Sequence, residues 1–417
     1  MHTEHWEELK QVTKRYHEPG KFVTFLGYEW SGTTPGGGDH NVYTTDDDMT
    51  LHRSSHWQVP DKSDEHNDRY PITELYDTLR PLQHKIMVVP HVGGRYANLE
   101  FHDPELEPVV EICSCHGRFE WFFEEAIKRG YKTGVVATGD DHTGRPGSSY
   151  PTGRAFGVRN GLTAVLSVDR TRQSIWEALK ARRCYATSGE RILLEFGMRD
   201  HHMGEEVLTS TPPEFWVHVV GTAPLHSVEI RRALDSVYSY PLNQDPDPSL
   251  IRVAWGGNRL RSRKRYADWS GNLTLTGGKI VSAKGFAFDN PAEGITGWNE
   301  RSVSWQSHTS GDIDGVIVEV DAPDSARLCF DSPVTKFSLD LSRIRATEQR
   351  IDAGGVDLFV SLSTVPRKPN PSEIEATHKD TPPQGVCVPY YVRVMQSDGE
   401  MAWSSPIFVT YVPEHRR

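Results

Sequence analysis

The stretch Gly134-Val135-Val136-Ala137-Thr138-Gly139-Asp140-Asp141-His142-Thr143-Gly144 decides how the chain is read. An apolar β-type run ends in Asp-x-His, so a carboxylate and an imidazole fall together at the C-terminal mouth of a strand, where α/β folds collect their chemistry. The stretch reads as half of a metal site.

Outward from it, the same unit recurs. Phe22 to Leu26 reads as a buried strand running into Gly27-Tyr28-Glu29-Trp30, Ile86 to Val89 runs into Pro90-His91, and Val109 to Ile112 leads to Cys113-Ser114-Cys115-His116. Between these lie residues at helical spacing: Trp6, Leu9, Val12 and Tyr16, then Ile72, Leu75, Leu79 and Leu82, then Phe119 to about Lys128, and finally Ile175, Trp176 and Leu179. Alternating strands and helices predict a parallel sheet or barrel that delivers Glu29, His91, His116, Asp140 and His142 from separate strand ends. From about Ile192 helical periodicity vanishes. Short alternating runs such as Phe215-Trp216-Val217-His218-Val219 and Gly315 to Val320 predict a β-sandwich. The expected fold is α/β plus all-β, with residues 1–190 forming one domain and residues 191–417 the other.

Composition narrows the function classes. With 417 residues, 36% hydrophobic and 25% charged, the chain has the make-up of a soluble globular protein large enough for two cores. A net charge of -11 argues against nucleic acid as a partner, and the local cluster Arg259, Arg261, Arg263, Lys264 and Arg265 reads as a solvated loop. No apolar run approaches the ~20 residues that span a bilayer, so no membrane partner is expected. The N-terminal residues lack a signal-peptide pattern, and five cysteines are few and odd in number, which predicts reduced thiols and a cytoplasmic protein. Cys113-Ser114-Cys115 lacks zinc-ribbon spacing.

Imidazoles and carboxylates at strand ends suit divalent zinc, manganese or iron, with a position left open for water or a substrate oxygen. Each residue also has an ordinary reading: Glu29 as a strand end, His116 as a loop residue, Asp141 as a helix cap. Arg95 and Arg145 lie just past ligand positions and suit a bidentate clamp on an anionic oxygen. His40, after Gly36-Gly37-Gly38, is an extra ligand, a substrate contact or a solvent-exposed loop histidine. That glycine run lacks the Lys-Ser/Thr of a P-loop, and no Gly-x-Ser-x-Gly elbow is present.

These residues resemble the later ligand motifs of the polymerase and histidinol phosphatase (PHP) superfamily. More narrowly, Phe25-Leu-Gly-Tyr-Glu-Trp30, Asp39-His40-Asn41-Val42-Tyr43, Asp140-Asp-His-Thr-Gly-Arg-Pro-Gly147, Arg182-Arg-Cys-Tyr-Ala-Thr-Ser-Gly189 and Ala402-Trp-Ser-Ser-Pro-Ile407 are similar to phrases of its DUF3604 branch. The resemblance implies a distorted (β/α)7 barrel, up to three metal ions and, for many members, phosphoesterase activity. The superfamily's opening His-x-His and its Thr-Asp-His-like motif have no counterpart upstream of Glu29, and His2-Thr3-Glu4-His5 does not match. The resemblance thus implies an incomplete PHP-type barrel that begins late. Carried over residue by residue, one metal takes Glu29, His91 and His116, a complete set. A second shares Glu29 and uses Asp140, and a third keeps only His142.

The expectation is at most one well-formed metal site and weak or absent hydrolysis by this chain alone. Two function classes stay open. One is a metal-dependent hydrolase of a phosphorylated or sugar-derived small molecule, with His40 and Arg145 as catalytic candidates and Arg95, Arg145 and His40 contacting substrate. The other is a non-catalytic scaffold, a degenerate barrel carrying a β-sandwich that recognises a glycan or a protein. An in-frame His-x-His upstream of Met1 in the encoding DNA discriminates them.

Overall fold

The structure is a computed structural model that describes residues 1–142 and 158–414. Strands β1 (Leu26–Ser31), β2 (Asp39–Thr44) and β3 (Ile86–Pro90) form a three-stranded sheet in which both neighbouring pairs are antiparallel. The glycine-rich link between β1 and β2 turns the chain straight back, whereas a parallel pair needs a crossover of roughly a dozen residues or more. Helices α1 (Thr3–Tyr16) and α2 (Ile72–Leu79) contribute to the core on one face of this sheet, where Trp6, Tyr28, Trp30, Val42, Leu75 and Val88 meet. In α2, Ile72, Leu75, Tyr76 and Leu79 are buried at i, i+3, i+4 and i+7, the spacing that gives a helix one apolar side.

Strand β4 (Val109–Ser114) bends back antiparallel through the short β5 (Gly117–Arg118). It then pairs in parallel with β6 (Gly134–Ala137) across α3 (Glu120–Lys128). Strands β7 (Leu162–Val165) and β8 (Cys184–Thr187) flank α4 (Arg172–Lys180) and are antiparallel. The expected parallel barrel is therefore corrected: the described strands lie in open sheets, and no closed barrel forms among the described residues. The reason is β2, which inserts antiparallel between β1 and β3 and interrupts the β-α-β repeat that the apolar runs suggested.

The second half is almost entirely β. Strands Pro246–Asn258, Ile313–Asp321 and Val356–Pro366 face Gly271–Thr276, Ser302–Gln306 and Arg327–Asp331 across a core that includes Val253, Trp255, Val318, Leu273, Trp305 and Phe330. A second layered pair sets Leu193–Met198, Glu214–Val220 and Glu373–Lys379 against Leu225–Arg232, Cys387–Gln396 and Ile407–Tyr411, with Phe196, Phe215, Ile230 and Tyr390 inside. This sheet continues through Met401–Ser404 into β8, so a late strand completes a sheet begun in the first half. Glu120, the first residue of α3, accepts two hydrogen bonds from Arg393 (2.6 and 2.9 Å) and one from Trp403 Nε1 (2.6 Å), fastening the junction with a bidentate ion pair. None of the described helices is long and apolar enough to cross a membrane.

Candidate metal centre

Strand register explains which side chains meet. Glu29 is opposite Asn41 and Ser31 opposite Asp39, so these four share one face of the β1–β2 pair, while Trp30 and His40 share the other. The second face is the apolar core. His91 follows β3 directly, and its backbone N–H donates to Asp39 O at 3.3 Å, bringing the imidazole to the Glu29 side. Gly93 permits the approach: a Cβ there would lie 2.7 Å from Asp39 Oδ2 and 2.9 Å from His91 Cε1. Asp140, at φ 42°, turns the backbone just past β6 and aims its carboxylate back at the same point.

His91 stands at the centre and is 0% exposed. Its Nε2 is 3.8 Å from Glu29 Oε1, and its Nδ1 is 3.6 Å from Asp140 Oδ2 and 3.9 Å from Glu111 Oε1. None of these is a hydrogen bond: both ring nitrogens and Glu111 Oε1 are buried without a hydrogen-bond partner. Each such atom costs on the order of 1–3 kcal/mol. His116 Nε2 lies 3.1 Å from Asp140 Oδ2, and the His142 ring meets the His116 ring edge to face at 5.3 Å. Cys115 Sγ donates to Asp140 O at 2.9 Å, and one nitrogen or sulfur from each of Cys115, His116 and His142 fits within 4.8 Å of the others. The tight trio is thus Cys115, His116 and His142, with Asp140 linking it to His91 and Glu29.

Burial dominates the electrostatics. It draws His91 down to about 4, against the pull of Asp140 and Asp39, so the imidazole is neutral with its lone pair available. Burial, reinforced by the Asp140 charge, pushes Glu111 up to about 8 and Glu29 upward. Asp39 is raised by burial and by Glu29. For Asp140 burial is outweighed by the His116 contact and the nearby imidazoles, which hold it below its ordinary value.

A cleft of about 420 Å³ opens onto this cluster and is lined by Glu29, Asp39, His116 and Asp140 on one side and by Arg263 and Lys264 on the other. The reading of Arg259 to Arg265 as a solvated loop holds for Arg259, Arg261, Arg263 and Lys264, which are exposed, and is corrected for Arg265. Arg265 is 5% exposed, donates to Val92 O at 3.0 Å and to Gly93 O, and stacks over Phe119 at 5.1 Å. Ser310, also from the second half, donates to His116 O at 2.6 Å. Two of the ligand-bearing loops of the first half, those at His91 and His116, are therefore held by the second.

The remaining expected residues divide. Arg95 lines the cleft, its Nε donating to Asp39 Oδ1 at 3.0 Å and its backbone N–H to Asp39 Oδ2 at 2.7 Å. His40 lies on the core face instead, in a buried network with Tyr76 (3.3 Å) and Glu107 (3.3 Å). Arg145 lies outside the described residues. Sequence reasoning passed over Asp39, Glu111 and Cys115. A carboxylate inside the apolar run Val109-Val110-Glu111-Ile112 was the signal for Glu111, and period-two alternation with Glu29 was the signal for Asp39.

Comparison with known proteins adds a partial family match and no activity. The chain is 28% identical over 264 residues to an uncharacterised protein of Chlamydia pneumoniae, 26% over 263 residues to one of Chlamydia trachomatis and 24% over 264 residues to one of Chlamydia muridarum. Each match covers 56% of this chain and 40% of the relative, so the chain spans about two-fifths of the length of these curated relatives. No solved structure matches it. Residues 1–103 and 148–206 match the family described as "Protein of unknown function (DUF3604)", which supports the DUF3604 resemblance over those two segments.

Proposed function

We propose that this chain holds a divalent cation, zinc, manganese or iron, among Glu29, His91, His116, Asp140 and His142, and hydrolyses a phosphoester of a small molecule, as an incomplete PHP-type barrel would. One observation carries the reading: the neutral, fully buried His91 imidazole has no hydrogen bond at either nitrogen and is surrounded by Glu29, Asp140 and Glu111. Other buried side chains also have unpaired atoms, but at His91 both ring nitrogens are unpaired and face carboxylates, and a cation satisfies an imidazole lone pair and carboxylate oxygens together. The donor set fits.

When bound, such a cation supplies Lewis acidity and makes water acidic enough to lose a proton near neutral pH. The chain's own residues prepare the place. Burial keeps His91 unprotonated, His116 and its neighbours keep Asp140 ionised, and Ser31 Oγ orients Glu29 Oε1 at 2.8 Å. Thr138 Oγ1 fixes Glu111 in the same way. Asp39 holds the Arg95 guanidinium through Nε, leaving its remaining N–H groups to bind an anionic oxygen. The five cysteines are unpaired, which suits a reducing, cytoplasmic setting as part of the same proposal.

The test is elemental analysis of the full chain together with a phosphoester panel. About one ion per chain is expected, lost in His91→Ala along with any turnover. Metal-free protein after loading with zinc, manganese and iron overturns the reading.

A further inference from the structure

The loop between Asn258 and Tyr266 belongs to the second half, yet it closes over the first-half cleft. Arg259 N–H donates to Arg265 O at 2.6 Å, which shuts the loop on itself. The buried Arg265 guanidinium fastens it to the carbonyls of Val92 and Gly93, immediately after His91. Arg261 stacks on Trp121 at 4.7 Å. These two anchors leave Arg263 and Lys264 at the cleft wall, where the Arg263 guanidinium packs on Gly94: a Cβ there would stand 3.3 Å from its Nε. Among the described residues neither Arg263 nor Lys264 forms an ion pair, whereas Arg95 beside them is paired with Asp39 at 3.0 Å.

We propose that Arg263 and Lys264, with Arg95 beside them, form the subsite that holds the oxyanion of a phosphorylated substrate across from His91, Asp140 and Glu29. The inference rests on the hydrolase reading above and adds a residue set from the other half of the chain. A planar guanidinium and a mobile ammonium facing one cleft suit a phosphoryl group, which offers several acceptor oxygens at once. The carboxylates on the opposite wall repel a free anion. Neutralising them with a divalent cation leaves the basic wall to govern what enters.

Arg263 and Lys264 are exposed, so substitution there leaves the buried cores untouched. Inorganic phosphate is the probe, titrated into the full chain with and without loaded zinc or manganese. The double variant Arg263→Gln/Lys264→Gln should weaken phosphate binding by about tenfold or more while metal content stays unchanged. The charge-matched control Lys279→Gln/Arg301→Gln, at exposed positions of the second half, should leave phosphate affinity near the wild-type value. Equal phosphate affinity in wild type and double variant, equal weakening in the control, or no phosphate binding at all overturns the inference. If the wild type retains no metal yet its phosphate binding still depends on Arg263 and Lys264, the subsite stands and the hydrolase reading falls.

Discussion

Two buried clusters of histidines and carboxylates lie on opposite faces of the same three-stranded sheet, and they are built on opposite principles. Around Glu107, His102 Nδ1 (2.8 Å), the Asp103 N–H (3.2 Å) and the Tyr76 hydroxyl all bond the carboxylate, and His40 Nε2 lies 3.3 Å away. Burial would raise Glu107, but the bonds from His102 and His40 prevail and hold it down to about 2. Around His91, by contrast, both ring nitrogens and the facing Glu111 Oε1 lack any hydrogen bond, and burial drives His91 down to about 4 and Glu111 up to about 8. The first cluster is complete within the chain and serves packing. The second is complete only with something added, and that difference separates a structural histidine from a candidate ligand.

Substitutions sharpen or break the contrast. Glu107→Ala leaves His102 unpaired and strips Tyr76 and His40 of their carboxylate partner in the core, and should destabilise the fold by about 3–5 kcal/mol in denaturant titration; a loss below about 1 kcal/mol would break the comparison. The same carboxylate has a pH signature. Its pKa is lower in the folded chain than the ordinary 4.5, so its contribution is full above that value and is lost as pH falls through about 2. The stability gap between wild type and Glu107→Gln should therefore narrow as pH is lowered across that window.

Gly93→Ala comes next. Its methyl group would press on Asp39 Oδ2 and the His91 ring, which predicts a loss of about 1–3 kcal/mol together with weaker metal retention by elemental analysis. Ser310→Ala removes the bond to His116 O, for about 1 kcal/mol by thermal unfolding. His91→Leu is the smallest in stability: it deletes a ring that forms no hydrogen bond, and metal-free protein should stay within about 1 kcal/mol of wild type while metal retention disappears. A large destabilisation there would show that His91 is as structural as His40.

How much of this was legible in the sequence follows from what strands encode locally. Apolar runs leading to His91 and Asp140 marked strand ends correctly, because hydrophobic periodicity is a local signal. The strand expected over Phe22 to Leu26, by contrast, begins only at Leu26 and carries Glu29 within it, with Phe22 exposed. Pairing direction is not local. Nothing within Asp39 to Thr44 says that the strand slots antiparallel between β1 and β3, and that placement replaced the expected parallel order. The same register exchanged the roles of two neighbours: His40 drew attention as a chemical residue, whereas alternation sends it to Trp30 and sends Asp39 to the cleft. Arg265 misled for a related reason. A run of cations ordinarily lies in water, and only the carbonyls of Val92 and Gly93, far away in sequence, make its burial possible.

The strand Met401–Ser404 bears on how the protein comes into being. It pairs with β8, and Trp403 fills the core beside Val110, Phe122 and Ala186. During synthesis the first half leaves the ribosome long before that strand does, with the edge of β8 open and the pocket for the indole unfilled. The His91 and His116 loops, held by Arg265 and Ser310, likewise reach their final setting only after most of the chain has been made. A fragment ending near residue 190 would expose that edge and that pocket to other chains, and aggregation is its expected fate.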